Sequence, residues 1–297
     1  MPRRVWALVG MVLIVGLTVT VSRGADVPAE ATVTDAEKNE LKVTGLKFTT
    51  GVRRLSWLAD PNGTTEEAKK GPMALEVREP HSTTYAKGIV TYVPINSVES
   101  IKYDYDKKVT SIAIKGLADP LAGTLEYRGL NVLQFSGTVV GETLTFSGGT
   151  FTKGSIKAVA FAGAQPLPER KGSLPWLIQI DQPKAMDPTL KASNFKFLYQ
   201  YPGGGDELAD AGILRKGDPL KLDDSVKTFT PVAVDLNLNT AAVEVQIGDA
   251  EKVVVIPFQI EKDGKKGVLA GILGEVEAGW KLFPIHTIKV MKRQRKD

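Results

Sequence analysis

Val232-Ala233-Val234-Asp235-Leu236-Asn237-Leu238-Asn239 alternates apolar and polar side chains, and just after it Val243, Val245 and Ile247 alternate with Glu244 and Gln246. Successive side chains of an extended strand point to opposite faces. The period of two therefore puts Val232, Val234, Leu236 and Leu238 on a face to be buried and Asp235, Asn237 and Asn239 on a face left to water. One dry and one wet face indicate an antiparallel sheet.

The chain around this stretch reads the same way. Short runs rich in Val, Ile, Thr, Tyr and Phe are separated by Gly, Pro, Asn and Asp clusters, the punctuation of strands and turns. Asp60-Pro61-Asn62-Gly63 and Asp263-Gly264 sit between strand-like segments, where glycine supplies the positive φ of a tight turn. Helix signals are confined to Thr64 to Lys70 and Asp206 to Ala211, each a turn or two. The expected fold class is all-β: two antiparallel sandwich-like units with few short helices.

The division between the units is expected at residues 165–173, Gln165-Pro166-Leu167-Pro168-Glu169-Arg170-Lys171-Gly172-Ser173, a polar stretch with two prolines between apolar runs. This gives β domains at 40–164 and 174–291, each near the usual domain size, with a flexible segment at 25–39 and a basic tail at 292–297. One continuous sandwich with a long crossing loop is the alternative. An internal echo suggests duplication. Lys42 to Phe48 resembles Lys191 to Phe197, the Gly71-Pro72 strand start resembles that at Gly217 and Pro219, and Thr91 to Pro94 resembles Thr228 to Pro231.

At the N-terminus, Arg3 and Arg4 precede an apolar run from Val5 to Val21 and the small-residue step Ser22-Arg23-Gly24. This is the pattern of a signal peptide over residues 1–24, with Ala29 and Ala31 offering a rival cleavage site. The run also reaches the lower limit for spanning a bilayer, so an uncleaved anchor is the other outcome. Membrane contact is expected only in that case. Either way Arg3 and Arg4 favour a cytoplasmic N-terminus and an exported body, periplasmic or extracellular. The chain has no cysteine, which rules out disulfides and a lipid-modified Cys and fits a bacterial envelope.

Charge narrows the partners. The chain carries 38 Lys and Arg against 34 Asp and Glu, but Arg3, Arg4 and Arg23 belong to the leader and five cations lie in the tail from Lys289 to Asp297. The body between is slightly acidic, so no nucleic acid is expected. The tail suits an anionic surface or envelope polymer.

Candidate chemistry is sparse. His81 and His286 are the two histidines; neither lies in a nucleophile-elbow pattern, and without Cys a zinc site would need both plus carboxylates. His81 reads as a loop residue and His286 as a strand residue. No cofactor is expected. Three carboxylate clusters could serve a cation or glycosidase site: Asp206, Glu207 and Asp210 after Pro202-Gly203-Gly204-Gly205; Asp218, Asp223 and Asp224; and Asp235 with Asn237 and Asn239. The first is the candidate metal site. The candidate ligand site is Phe195, Phe197, Tyr199 and Tyr201, which alternate with Lys196, Leu198 and Gln200. They form either a core face or a stacking platform for sugar rings or peptide. Trp57, Trp176 and Trp280 read as core. The function these features support is a non-enzymatic binding or structural protein of the bacterial envelope, its ligand open among envelope polymer, anionic surface and protein partner. A secreted carboxylate-dependent polysaccharide hydrolase and an anchored accessory subunit are the alternatives.

Overall fold

The computed structural model describes residues 27–64, 69–78, 89–123, 126–127, 130–131, 133–150, 154–167, 176–180, 190–201, 206–215, 218–222, 225–235, 240–249, 252–255 and 261–294. Residues 1–26, His81 and residues 168–173 lie outside them. In the N-terminal half the strands are β1 (Glu30–Asp35), β2 (Glu40–Thr50), β3 (Val52–Arg54), β4 (Met73–Arg78), β5 (Val90–Pro94), β6 (Val98–Asp104), β7 (Val109–Ile114) and β8 (Leu121–Gly123). They are followed by β9 (Glu126–Tyr127), β10 (Leu130–Asn131), β11 (Leu133–Val139), β12 (Glu142–Gly148) and β13 (Ile156–Phe161). The second half begins with β14 (Trp176–Ile180), β15 (Leu190–Gln200), β16 (Asp206–Asp210), β17 (Gly212–Arg215), β18 (Asp218–Lys221), β19 (Val226–Asp235) and β20 (Thr240–Ile247). It ends with β21 (Lys252–Val255), β22 (Glu261–Lys262), β23 (Lys265–Lys266), β24 (Val268–Val276), β25 (Gly279–Pro284) and β26 (Ile288–Arg293).

The fold is all-β and sandwich-like, with two large antiparallel sheets. One has eight strands in the order β12-β11-β2-β1-β13-β6-β7-β8; the other has twelve, in the order β21-β20-β19-β26-β14-β15-β24-β25-β5-β4-β3, with β16 beside β15. The sequence break at 165–173 and the grouping of strands in space do not coincide. Strands β3, β4 and β5 come from the N-terminal half but complete the C-terminal sheet, through Trp280 opposite Tyr92, Lys281 opposite Thr91 and Leu282 opposite Val90.

Three cores follow from this arrangement. Leu75, Val77 and Val93 of β4 and β5 pack with Val33, Ile101, Ile112 and Phe135 of the eight-stranded sheet. Trp176, Phe197, Phe229, Val245, Ile272 and Phe283 fill the interior of the C-terminal half. A smaller cluster crosses the β5–β25 seam, joining Ala74, Val90 and Tyr92 to Leu273, with Trp57 and Trp280 packed against it.

The two halves repeat one plan. A strand (β1, β14) pairs with a second (β2 with β3, β15), which in turn pairs with the first strand of a hairpin (β4–β5, β24–β25). A 3-10 turn (Ile95–Ser97, Ile285–Thr287) then turns the chain into β6 or β26. In the second half β26 pairs directly with β14, while β13 stands between β6 and β1 in the first. Among the described residues, the echo of Lys42 to Phe48 with Lys191 to Phe197 falls on equivalent strands, β2 and β15; Gly217 lies outside them. Thr91 to Pro94 in β5 corresponds to Lys281 to Pro284 in β25, and not to Thr228 to Pro231 in β19.

Several local expectations are corrected. Residues 30–35, inside the segment expected to be flexible, form β1, a central strand with Val33 fully buried. Ala31, Thr32, Val33 and Thr34 carry a short β-branched alternation that the acidic flanks conceal. Asp206 to Asp210 is a strand and not a helical turn, because pairing with β15 satisfies its backbone groups. Val232 is 50% exposed: the register shifts between Pro231 and Ala233, and this bulge, at a proline unable to donate a ladder bond, breaks the expected phase. Leu236 to Asn239 lie outside the described residues. Val243, Val245 and Ile247 are buried, and Asp263 and Gly264 both take positive φ between β22 and β23, as a tight hairpin requires.

Candidate functional site

Phe195, Phe197 and Tyr199 lie on β15 with their rings buried in the core, and Tyr201 follows directly after the strand. Phe195 meets Trp176 edge-on at 5.8 Å, and Phe197 meets Phe229 at 5.8 Å. A stacking platform needs open ring faces; of the four only Tyr201 is partly open. Its hydroxyl donates to Glu207 Oε2 at 3.1 Å. Desolvation, then the bond to Glu207, raises the Tyr201 pKa; burial, then Tyr201, raises that of Tyr199.

Asp206, Glu207 and Asp210 lie on β16 opposite Gln200, Tyr199 and Lys196. The period of a strand puts Glu207 and Asp210 on opposite faces, so the cluster does not converge on one point. Among the described residues no group of three His, Asp or Glu is placed to hold a metal ion. Pro202 to Gly205, Asp223, Asp224, Asn237 and Asn239 fall outside those residues. His286 sits exposed in the 3-10 turn Ile285–Thr287 and not on a strand face. Trp176 is fully buried, whereas Trp57 and Trp280 are half-buried. Arg53 stacks 5.0 Å over the Trp57 ring. Among the described residues no helix is long and apolar enough to cross a membrane.

Two concave regions stand out. The first is a groove of about 550 Å³ at the end of the sheet where β19 begins and β20 and β26 finish, lined by Lys227, Thr228, Gln246, Asp249, Lys292 and Arg293 among others. A bulge builds it. Val226 and Phe229 are both fully buried in the core, and a register shift between Val226 and Thr228 leaves Lys227 and Thr228 side by side on the outside. Register then places Gln246, Thr228 and Lys292 in one row across three strands. Lys227 pairs with Asp249, and Thr228 Oγ1 is enclosed without a hydrogen-bond partner.

The second lies where the tip of the β24–β25 hairpin enters the N-terminal half, burying Ala278 against its core. Cavities of about 410 and 380 Å³ flank the tip. Thr91, Asp119, Lys191, Glu277 and Lys281 line the first; Leu117, Glu275, Glu277 and Trp280 line the second. Sequence reasoning named neither region, because their residues are distant in the chain and only strand register and hairpin docking unite them.

Compared with known proteins, the chain matches no family model, no curated protein and no solved structure.

Proposed function

We propose that the protein is an exported, non-enzymatic binding component of the bacterial cell envelope. The observation that carries this reading is the groove on β19, β20 and β26. It is a concave surface of ligand-site volume, built of polar side chains on paired strands with a buried core beneath. A sheet backed by Phe229, Val243 and Val245 holds such side chains in fixed positions and so limits the ordering that binding requires. The signal-peptide pattern in residues 1–24 supplies the address. The test is sedimentation of the secreted protein with isolated cell envelope. Co-sedimentation that saturates is the expected result. Recovery in the supernatant at every concentration, or accumulation in the cytoplasm, would overturn the reading.

A second reading, hydrolysis of an envelope glycan, is favoured by one observation: Glu275, Glu277 and Trp280 line the same cavity beside the β24–β25 tip. A pair of carboxyl groups is what most glycoside hydrolysis uses, and the Trp280 ring could stack on a sugar. Release of reducing ends from envelope glycan, abolished by both Glu275→Gln and Glu277→Gln, would establish it in place of the first.

A further inference from the structure

We infer that the groove on β19, β20 and β26 binds the anionic groups of an acidic polysaccharide; this rests on the reading of the protein as an envelope-binding component and names its ligand class. Among the described residues the lining carries Lys227, Lys292 and Arg293 and one carboxylate, Asp249. The surface is therefore cationic although the body of the chain is slightly acidic. Asp249 is almost fully exposed and is ion-paired to Lys227, which keeps that ammonium at the groove wall.

The remaining lining favours a hydroxylated ligand. Ser225, Gln246 and Gln294 contribute hydroxyl and amide groups, each able both to donate and to accept a hydrogen bond. A lipid surface is the weaker fit. Interfacial binding buries apolar side chains at the acyl boundary, whereas Val226, the one large apolar residue of the lining, is committed to the core. The groove is also concave, suited to a chain laid across the strands.

Titration calorimetry on the mature protein, with polygalacturonic acid and dextran sulfate as probes and neutral dextran as control, tests the inference. Both anionic polymers are expected to bind and to weaken with salt, and neutral dextran to fail. Lys292→Gln should weaken binding about fivefold, Lys227→Gln with Lys292→Gln about tenfold or more, and Asp249→Asn should tighten it about threefold. Unfolding midpoints confirm that each variant is folded. Truncation after Gln294 separates the groove from the terminal charges and should change affinity less than about twofold, the loss of peripheral cations only. The inference is overturned if truncation abolishes binding while the lysine variants retain it, if neutral dextran binds equally, or if phosphatidylglycerol vesicles bind more tightly than both polymers. Saturable sedimentation with envelope but no binding to either polymer would refute the ligand class alone. Failure in both assays would refute the envelope-binding reading as well.

Discussion

Tyr103 is buried against the eight-stranded sheet, stacked on Tyr105 at 5.9 Å, with its hydroxyl enclosed and unpartnered. A Cβ at Gly148 would lie 2.6 Å from its ring, so that glycine is what leaves the ring its place. Tyr103→Phe removes a polar atom that folding desolvates without return, and is expected to stabilise the protein by about 1 kcal/mol in denaturant unfolding. Burial raises the Tyr103 pKa above its ordinary value of 10.0. The fold therefore keeps the phenol protonated where the unfolded chain would ionise it, and this stabilising contribution is full below about pH 10 and lost as pH rises further. Stability should fall above pH 10, less steeply in Tyr103→Phe, with part of the fall remaining because Tyr199 is raised in the same direction. Phe197→Ala, at a fully buried ring, should cost about 3 to 5 kcal/mol in the same measurement. That the stripe of Phe195, Phe197 and Tyr199 could be a core face was legible, because strict alternation leaves its polar neighbours the wet face. The exposure of Val232 was not, since Pro231 marks an irregularity in the strand without saying where the phase slips.

At the scale of the element, β15 shows how one residue joins two pairings. It pairs with β14 through Leu190 to Ala192 and with β24 from Ser193 onward. Ala192 and Phe195 both enter the same core although their odd spacing would set them on opposite faces of a regular strand. The bulge at Asn194, with φ +49°, restores the phase. Asn tolerates this left-handed backbone; a β-branched residue does not. Asn194→Val should destabilise by about 1 to 2 kcal/mol, and Asn194→Gly by clearly less, a contrast that thermal unfolding will read. The repeat was only partly visible in the chain. The segments Thr91 to Lys102 and Lys281 to Lys292 match through a shared Pro-Ile-x-Ser/Thr step (Pro94 and Pro284, Ile95 and Ile285, Ser97 and Thr287). The spacing between them differs from that of β2 and β15 because β16 to β23 intervene in the second half alone. A search for one constant period passes over such a match.

For the whole molecule, the β5–β25 pairing and the core that crosses it mean that cutting the chain does not divide the protein. Cleavage within residues 165–173 should leave both fragments in a single particle under native conditions, separating only in denaturant, as size exclusion before and after urea will show. Composition and turn chemistry could suggest two units but not that three N-terminal strands finish the C-terminal sheet, since partner choice between strands depends on contacts far apart in sequence. The grooves were illegible for the same reason: Thr228, Gln246 and Lys292 become neighbours only through register. The seam also has a symmetry of its own. Thr91 and Lys281, which face each other across it, occupy the same position in the repeated plan, three residues before Pro94 and Pro284, so a pseudo-twofold axis passes between them. Were two copies of the second half to meet along this edge, buried Lys281 would confront its own image, and like charges so placed cost several kcal/mol. Joining the halves in one chain removes the requirement that both sides of the axis be alike. One side carries a lysine and the other a threonine, and a contact that a homodimer would be forced to make with itself becomes one that each half can adjust separately.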